Sequence, residues 1–340
     1  MKTILVTGGM GFIGSNFIRY LLNIDQNFKI INIDKLTYAG NPENLKDLPV
    51  KFSERYRFYK QDICDFDSID RIIKKEHVDY IINYAAESHV DRSIENPTTC
   101  CDTNFMGTQS LLNAAILNNI KKYVQISTDE VYGSLNFGDP PFTEHNTLSP
   151  NSPYSASKAS ADLLVHAYYK TFGLSINITR CSNNYGPYQF PEKLIPLMIH
   201  NALNDKYLPV YGKGLNIRDW IYVIDHCKAV LKVLSDGREG EVYNIGGNSE
   251  ISNIELIKKI LKILNKPYSL ITFVKDRPGH DLRYAMNYSK ITKELNWKPD
   301  TTFEKGLERT IRWYISNEEW LNNIMTKDYL KFYEKQYKNR

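Results

Sequence analysis

Thr128, Asp129 and Glu130 stand side by side in QISTDEVYG, and Tyr154 and Lys158 lie four residues apart in YSASK. A tyrosine with a lysine one helical turn later can take a proton from an alcohol, because the ammonium favours the phenolate of a group whose ordinary pKa is about 10. The neighbouring Asp and Glu supply an acid and a base, which plain dehydrogenation does not require. The five residues together point to oxidation of an alcohol followed by elimination. For that, one of the two must carry a proton at working pH, and a buried place beside the other without a compensating cation would keep it there.

Such residues need a platform, and the first 35 residues supply one. KTILVTG is a continuous aliphatic and β-branched run suited to a strand buried on both faces, followed by GGMGFIG and a helical pattern through Phe17, Ile18, Leu21 and Leu22. Gly9, Gly11 and Gly14 fit G-x-G-x-x-G, in which the first glycine permits the turn, the second lets backbone approach a pyrophosphate and the third allows close helix packing. A second apolar strand, KIINID, ends at Asp34, where a carboxylate can accept from the adenosine ribose and would repel a 2'-phosphate. The expected cofactor is therefore NAD rather than NADP.

Strand and helix patterns alternate from RFYKQDI through SIDRIIKKEH, VDYIINYAA, NFMGTQSLLNAAILNN, KYVQIST and SASKASADLLVHAYYKTFG to SINITR. The expected fold class is α/β, a doubly wound, mostly parallel Rossmann-like sheet with ligands beyond the carboxyl ends of its strands. After Arg180 the chain becomes rich in glycine and proline loops, as in NNYGPYQFPEK, YGKGLNIRDW and KDRPGHD. This pattern predicts an NAD-binding domain over 1–182, to which 216–247 returns, and a smaller, interleaved α/β substrate domain over 183–315. Residues 316–340 read as a helical extension, with Leu321, Met325, Tyr329 and Tyr333 on one face.

Of the 340 residues, 42% are hydrophobic and 24% charged, an ordinary globular composition. The charge of +4, from 43 basic and 39 acidic residues, is dispersed and gives no reason to expect a nucleic-acid partner. Five cysteines (Cys64, Cys100, Cys101, Cys181 and Cys227) lack zinc-ligand spacing and read as reduced thiols in the cytoplasm, with no metal site expected. No apolar run approaches the ~20 residues needed to cross a bilayer.

TGGMGFIGSNF, DKLTYAGN, AAESHVDRS, STDEVYG, YSASK, RCSNNYGPYQFPEKLIP, YGKGLNIRDW and DRPGHDLRYA, in that order, resemble the extended short-chain dehydrogenase/reductase superfamily, and most narrowly its 4,6-dehydratases acting on dTDP-glucose. The resemblance implies a hydro-lyase that forms dTDP-4-keto-6-deoxy-glucose by C4 oxidation, loss of water across C5 and C6, and return of the reducing equivalent to C6. Thr128, Asp129, Glu130, Tyr154 and Lys158 would carry the chemistry. Gly8, Gly11, Phe12, Ile13, Gly14, Asp34, Lys35, Leu36, Thr37, Asp62, Ile63, Ala85, Ala86, Ser88, Thr103 and Asn184, with Tyr154 and Lys158, would hold NAD.

Ser88, Thr128, Asn183, Glu192, Lys193, Leu194, Pro209, Tyr211, Arg218, Asn253, Arg277 and His280 would hold the nucleotide sugar. Pro209 and Tyr211 would sit near the base, and Arg218 and Arg277 offer planar cationic forks for phosphate. His89 reads as structural. The helices at NFMGTQSLLNAAILNN and SASKASADLLVHAYYKTFG carry more apolar surface than one sheet contact requires, and the resemblance implies a homodimer through them. The rival readings are a UDP- or CDP-glucose 4,6-dehydratase, a nucleotide-sugar 4-epimerase, and a silent NAD-binding sensor or scaffold; the intact set of Thr128, Asp129, Glu130, Tyr154 and Lys158 argues against the last two.

Overall fold

The computed structural model describes residues 1–276 and 279–325. Its strands are β1 (Lys2–Thr7), β2 (Phe28–Asp34), β3 (Tyr56–Lys60), β4 (Tyr80–Asn83), β5 (Lys122–Thr128), β6 (Ile176–Cys181), β7 (Asn183–Tyr185), β8 (Leu208–Tyr211), β9 (Ile217–Tyr222), β10 (Val242–Ile245), β11 (Glu250–Ser252) and β12 (Ile271–Val274). Seven form one sheet in the order β10-β6-β5-β4-β1-β2-β3, and each pairing in it is parallel. The order reverses beside β1, so the cleft at the carboxyl ends of β1 and β4 is the switch point of a Rossmann-like α/β fold.

Both faces of this sheet are covered, which is why β1 and β5 are buried along nearly their whole length. On one face the helices Phe12–Ile24 and Val223–Asp236 bury Phe17, Ile18, Leu21, Val230 and Val233 against Ile4, Val6 and Val124. On the other, the helices Phe66–Glu76, Gly107–Leu117 and Pro153–Phe172 bury Ile69, Ile73, Leu111, Leu112 and Val165 against Leu5, Ile31 and Tyr123. Inside the sheet, Thr7 Oγ1 donates to Asn83 Oδ1 (2.6 Å) and Asn83 Nδ2 to Gln125 Oε1 (3.0 Å), joining β1, β4 and β5 where a register slip would strand buried polar groups.

A second core gathers Ile195, Leu197, Leu208, Leu256, Ile260, Leu307, Tyr314 and Trp320. Within the stretch 216–247, the helix Val223–Asp236 and β10 join the main layers, whereas β9 lies in a separate sheet of order β11-β9-β7. The helix Glu318–Ile324 buries Trp320, Leu321 and Ile324 on the second core. Trp320 Nε1 donates to Asn44 Oδ1 (2.9 Å), and Asn44 Nδ2 donates to Met10 O (2.8 Å) in the glycine turn. Of the face expected on the extension, Tyr329 and Tyr333 lie outside the described residues.

Candidate active site

One long groove runs across the carboxyl ends of the central strands. Its cofactor-side wall contains Gly8, Gly11, Phe12, Ile13, Gly14, Asp34, Lys35, Thr37, Asp62, Ile63, Ala85, Ala86, Ser88, Thr103 and Asn184. Thr128, Asp129, Glu130, Tyr154 and Lys158 line it too, as do Asn183, Glu192 and Lys193. Leu36, Leu194, Pro209, Tyr211, Arg218, Asn253 and His280 are not among the lining residues, and Arg277 lies outside the described residues.

The glycine turn departs from its expected register. Gly8, not Gly9, has the left-handed backbone (φ +66°), and a Cβ there would stand 2.6 Å from Ala85 N. Gly9 is instead packed against β2, where a Cβ would come within 2.1 Å of Asn32 Oδ1. Gly14 lets the helix approach the turn, since a Cβ would lie 2.5 Å from Gly8 O. The helix Phe12–Ile24 starts at Gly11 with no side-chain cap and no acid in its first turn, so its N-terminus faces the groove ready for an anion.

Asp34 closes the ribose end. Its Oδ2 accepts from Met10 N (2.9 Å) and its Oδ1 from Leu36 N (2.8 Å), which explains how Leu36, with φ 58°, supports the site without lining it. Each oxygen retains acceptor capacity for a ribose hydroxyl. Lys35 Nζ pairs with Asp62 Oδ2 at 2.6 Å. These features fit NAD: a backbone cradle that side chains would fill, an uncapped helix start and an acid at the ribose position.

The reactive centre is set by where β5 ends. Thr128 caps the short turn Asp129–Tyr132, its Oγ1 accepting from Glu130 N (3.3 Å) and donating to Asp129 Oδ1 (3.2 Å). Asp129 is buried, and its Oδ2 has no partner among the described residues. Burial pushes its carboxyl well above the usual range; the negative charges of Glu130 and Asp219 push the same way, and Thr128 and Arg218 only oppose them.

Tyr154 and Lys158 are presented by the helix Pro153–Phe172, fixed at its start by a Ser152–Ser155 capping box and by Tyr154 N donating to Ser93 Oγ (3.2 Å). Burial raises the Tyr154 phenol well above its usual pKa, Glu130 adds to the rise, and the Thr128 side chain opposes it. Lys158 Nζ donates to Ile126 O (2.6 Å), and burial pulls its pKa down against the attraction of Asp162. The lysine thus anchors to β5 from one helical turn after Tyr154.

Of the remaining substrate candidates, Tyr211 and His280 form a second cluster with Asp91 and Asp276, and Arg218 lies near Asp129. Arg218 lies 4.4 Å over the Tyr284 ring and donates to Asp281 O (2.9 Å), close enough to act on Asp129. Tyr211 packs edge-on to His280 (6.0 Å) and donates to Asp91 Oδ2 (3.3 Å), while His280 Nδ1 meets Asp276 Oδ1 at 2.6 Å. Pro209 lies in β8 opposite Thr272 of β12. Leu194 and Asn253 begin helices, and Asn253 Oδ1 has no partner among the described residues. His89 Nδ1 accepts from Arg92 N (3.4 Å), a helix cap as expected of a structural residue.

The groove also includes Tyr84, Glu87, Cys181, Ser182, Gln189 and Phe190, none chosen from the sequence. All six lie within a few residues of chosen positions, in the loops after β4, β6 and β7 or at a strand's end, so strand-end position was the available signal. Among the described residues, no group of three or more His, Cys, Asp or Glu could hold a metal ion. No helix there is long and apolar enough to cross a membrane.

A phenol, an ammonium and an acid pair in a groove at a Rossmann switch point define a dinucleotide-dependent enzyme equipped for proton transfer to and from an alcohol. The family model described as GDP-mannose 4,6 dehydratase matches residues 5–310. The chain is 49% identical to dTDP-glucose 4,6-dehydratase 1 of Escherichia coli, with 99% of each chain covered. The crystal structure of dTDP-glucose 4,6-dehydratase from Bacillus anthracis in complex with NAD superposes with a TM-score of 0.89 at 51% identity, covering 95% of this chain and 100% of that one. The enzyme of the same name from Streptomyces venezuelae, with NAD and TYD bound, gives 0.91 at 47% identity over 95% and 99%. The chain belongs to the dTDP-glucose 4,6-dehydratase family.

Proposed function

We propose that this chain dehydrates dTDP-glucose to dTDP-4-keto-6-deoxy-glucose with NAD held in the groove. The observation that carries the reading is the buried Asp129 carboxyl, one oxygen without a partner among the described residues, in a residue that lines the groove together with Glu130 and Tyr154. Bound there, NAD supplies a two-electron acceptor that is restored within each turnover.

Tyr154 Oη receives the C4 hydroxyl proton, with Thr128 Oγ1 holding the same sugar oxygen and the Lys158 ammonium favouring the phenolate. The C4 ketone acidifies the C5 hydrogen. Glu130, half-buried, takes that proton, and Asp129 gives its own to the departing C6 hydroxyl, which leaves as water. Glu130 then returns its proton to C5. Tyr154 ends one proton richer and Asp129 one poorer, so passage of a proton between the two, directly or through solvent, resets the site.

The substrate side would take the diphosphate on Arg218 and Arg277 and the base against Pro209 and Tyr211, with Asn183, Glu192, Lys193, Leu194, Asn253, His280 and Ser88 completing the sugar nucleotide's surroundings. A homodimer in the cytoplasm fits two further observations. Leu117, Leu163 and Phe172 are exposed on the helices Gly107–Leu117 and Pro153–Phe172 (55%, 63% and 59%), and the five cysteines are free thiols.

The test is incubation of the purified holoenzyme with dTDP-glucose, followed by mass spectrometry. Loss of one water without accumulation of NADH is the expected result. Unchanged mass with appearance of the galactose epimer would establish a 4-epimerase instead. Parallel incubation with UDP- and CDP-glucose decides the base.

A further inference from the structure

Three side chains, from two loops and a helix, meet at the edge of the groove. Tyr38 follows β2, within the stretch that lines the groove through Thr37, Ala39 and Gly40. Glu192 belongs to the loop before the helix Leu194–Leu203, which lines it through Gln189, Phe190 and Lys193. Arg92, in the helix Val90–Glu95, lies between them: its guanidinium stands 3.8 Å from the Tyr38 ring centroid and its Nε donates to Glu192 Oε2 at 3.2 Å.

Two more contacts tie the same loops together. The Tyr38 ring meets Phe190 edge-on at 5.9 Å, and Lys193 Nζ donates to Ser88 O at 2.8 Å. The Glu192 side chain is only 2% exposed and Arg92 29%, so the carboxylate end of the pair is removed from water, where a lost partner costs most. Burial pushes the Glu192 carboxyl up, and Lys193, Arg92 and Tyr38 pull it back.

We infer that Tyr38 and Arg92 are positioning residues that clasp the loop after β2 to the loop carrying Glu192, retaining NAD through a whole turnover and orienting Glu192 toward the sugar nucleotide. This rests on the NAD-dependent reading above. The net dehydration is redox-neutral, so the two electrons taken at C4 must come back to the same sugar. A cofactor that escapes midway leaves a sugar oxidised at C4 and the same two electrons in free NADH.

The test uses holoenzyme loaded with radiolabelled NAD and chased with unlabelled NAD, in wild type, Arg92→Ala, Arg92→Lys and Tyr38→Leu. Exchange is expected to quicken at least tenfold in Arg92→Ala and Tyr38→Leu, with Arg92→Lys in between because it keeps the charge but not the planar fork. With dTDP-glucose added, the two fast-exchanging variants should release free NADH together with a sugar nucleotide lighter by two hydrogens. A simple structural defect would give neither product. Wild-type exchange in both Arg92→Ala and Tyr38→Leu overturns the clasp, as does a rise in KM for dTDP-glucose with exchange unchanged. If Arg92→Ala folds poorly, the half-buried Tyr38→Leu decides by the same criterion. Wild-type protein that binds no NAD would instead bring down the cofactor reading itself.

Discussion

Asp129 and Glu76 are both buried carboxyl groups at opposite ends of the same sheet's strands, yet burial meets opposite partners at the two. Glu76 ends the helix Phe66–Glu76 near the amino end of β2, where Lys29 Nζ (2.6 Å), Arg57 Nη1 (2.9 Å) and the Tyr59 hydroxyl (2.6 Å) converge on it. Burial alone would raise its pKa, but these three partners outweigh it and bring the value to about 2. At the carboxyl end, Asp129 meets a threonine hydroxyl and two like charges, and burial prevails. The same loss of water is thus overruled by partners at one end and prevails at the other, depending on which partners the strand ends deliver.

The largest effect should come from removing a member of the acid pair. Asp129→Asn or Glu130→Gln is expected to slow water loss by about 10²–10⁴ while bound NAD is retained, checked by product mass and by the nucleotide content of the purified protein. Turnover at the wild-type rate would remove that residue from the mechanism. The pH profile carries the same signature: Asp129 acts protonated, so activity should fall as pH rises through its elevated pKa. Tyr154 acts deprotonated and its pKa is also raised, so the oxidation step alone should quicken toward alkaline pH.

Stability should move in opposite directions at the two carboxyls. Glu76 has a lowered pKa, so its contribution is fully present above the ordinary value near 4.5 and lost as pH falls toward about 2. Glu76→Gln should therefore cost about 2 kcal/mol at neutral pH by denaturant titration and leave turnover below the melting range unchanged. Asp129 has a raised pKa, so folding must keep a proton that the unfolded chain releases, a cost that grows with pH above the ordinary value. Asp129→Asn should gain about 1 kcal/mol at mildly alkaline pH, and a loss there would contradict a proton held by burial.

The reactive end was more legible in the sequence than the structural end. β5 runs over the Lys122–Thr128 stretch read from its apolar pattern, and the acid pair directly follows it, so a local motif carried the site. Glu76 offered no such signal, since its partners come from β2 and β3 and only the sheet register brings them together. The shift of the tight turn from Gly9 to Gly8 had the same origin: the contacts that decide it are with Ala85 and Asn32, distant in sequence. The clasp of Tyr38, Arg92 and Glu192 likewise joins loops far apart in the chain.

The smallest expected effect separates burial from mere pairing. Two residues before Glu76, Lys74 Nζ lies 2.7 Å from Asp70 Oδ2 across one helical turn, with Lys74 58% exposed. The Asp70 carboxyl is held low by Lys74 and by Asn118, whose Nδ2 donates to its other oxygen at 2.8 Å. Water already solvates the ammonium and salt screens the pair, so the geometry that anchors Glu76 contributes little here. Lys74→Ala should cost about 0.3 kcal/mol at low salt and nothing measurable at high salt. A cost as large as that of Glu76→Gln, persisting in salt, would mean that pairing rather than burial distinguishes the two ends of this sheet.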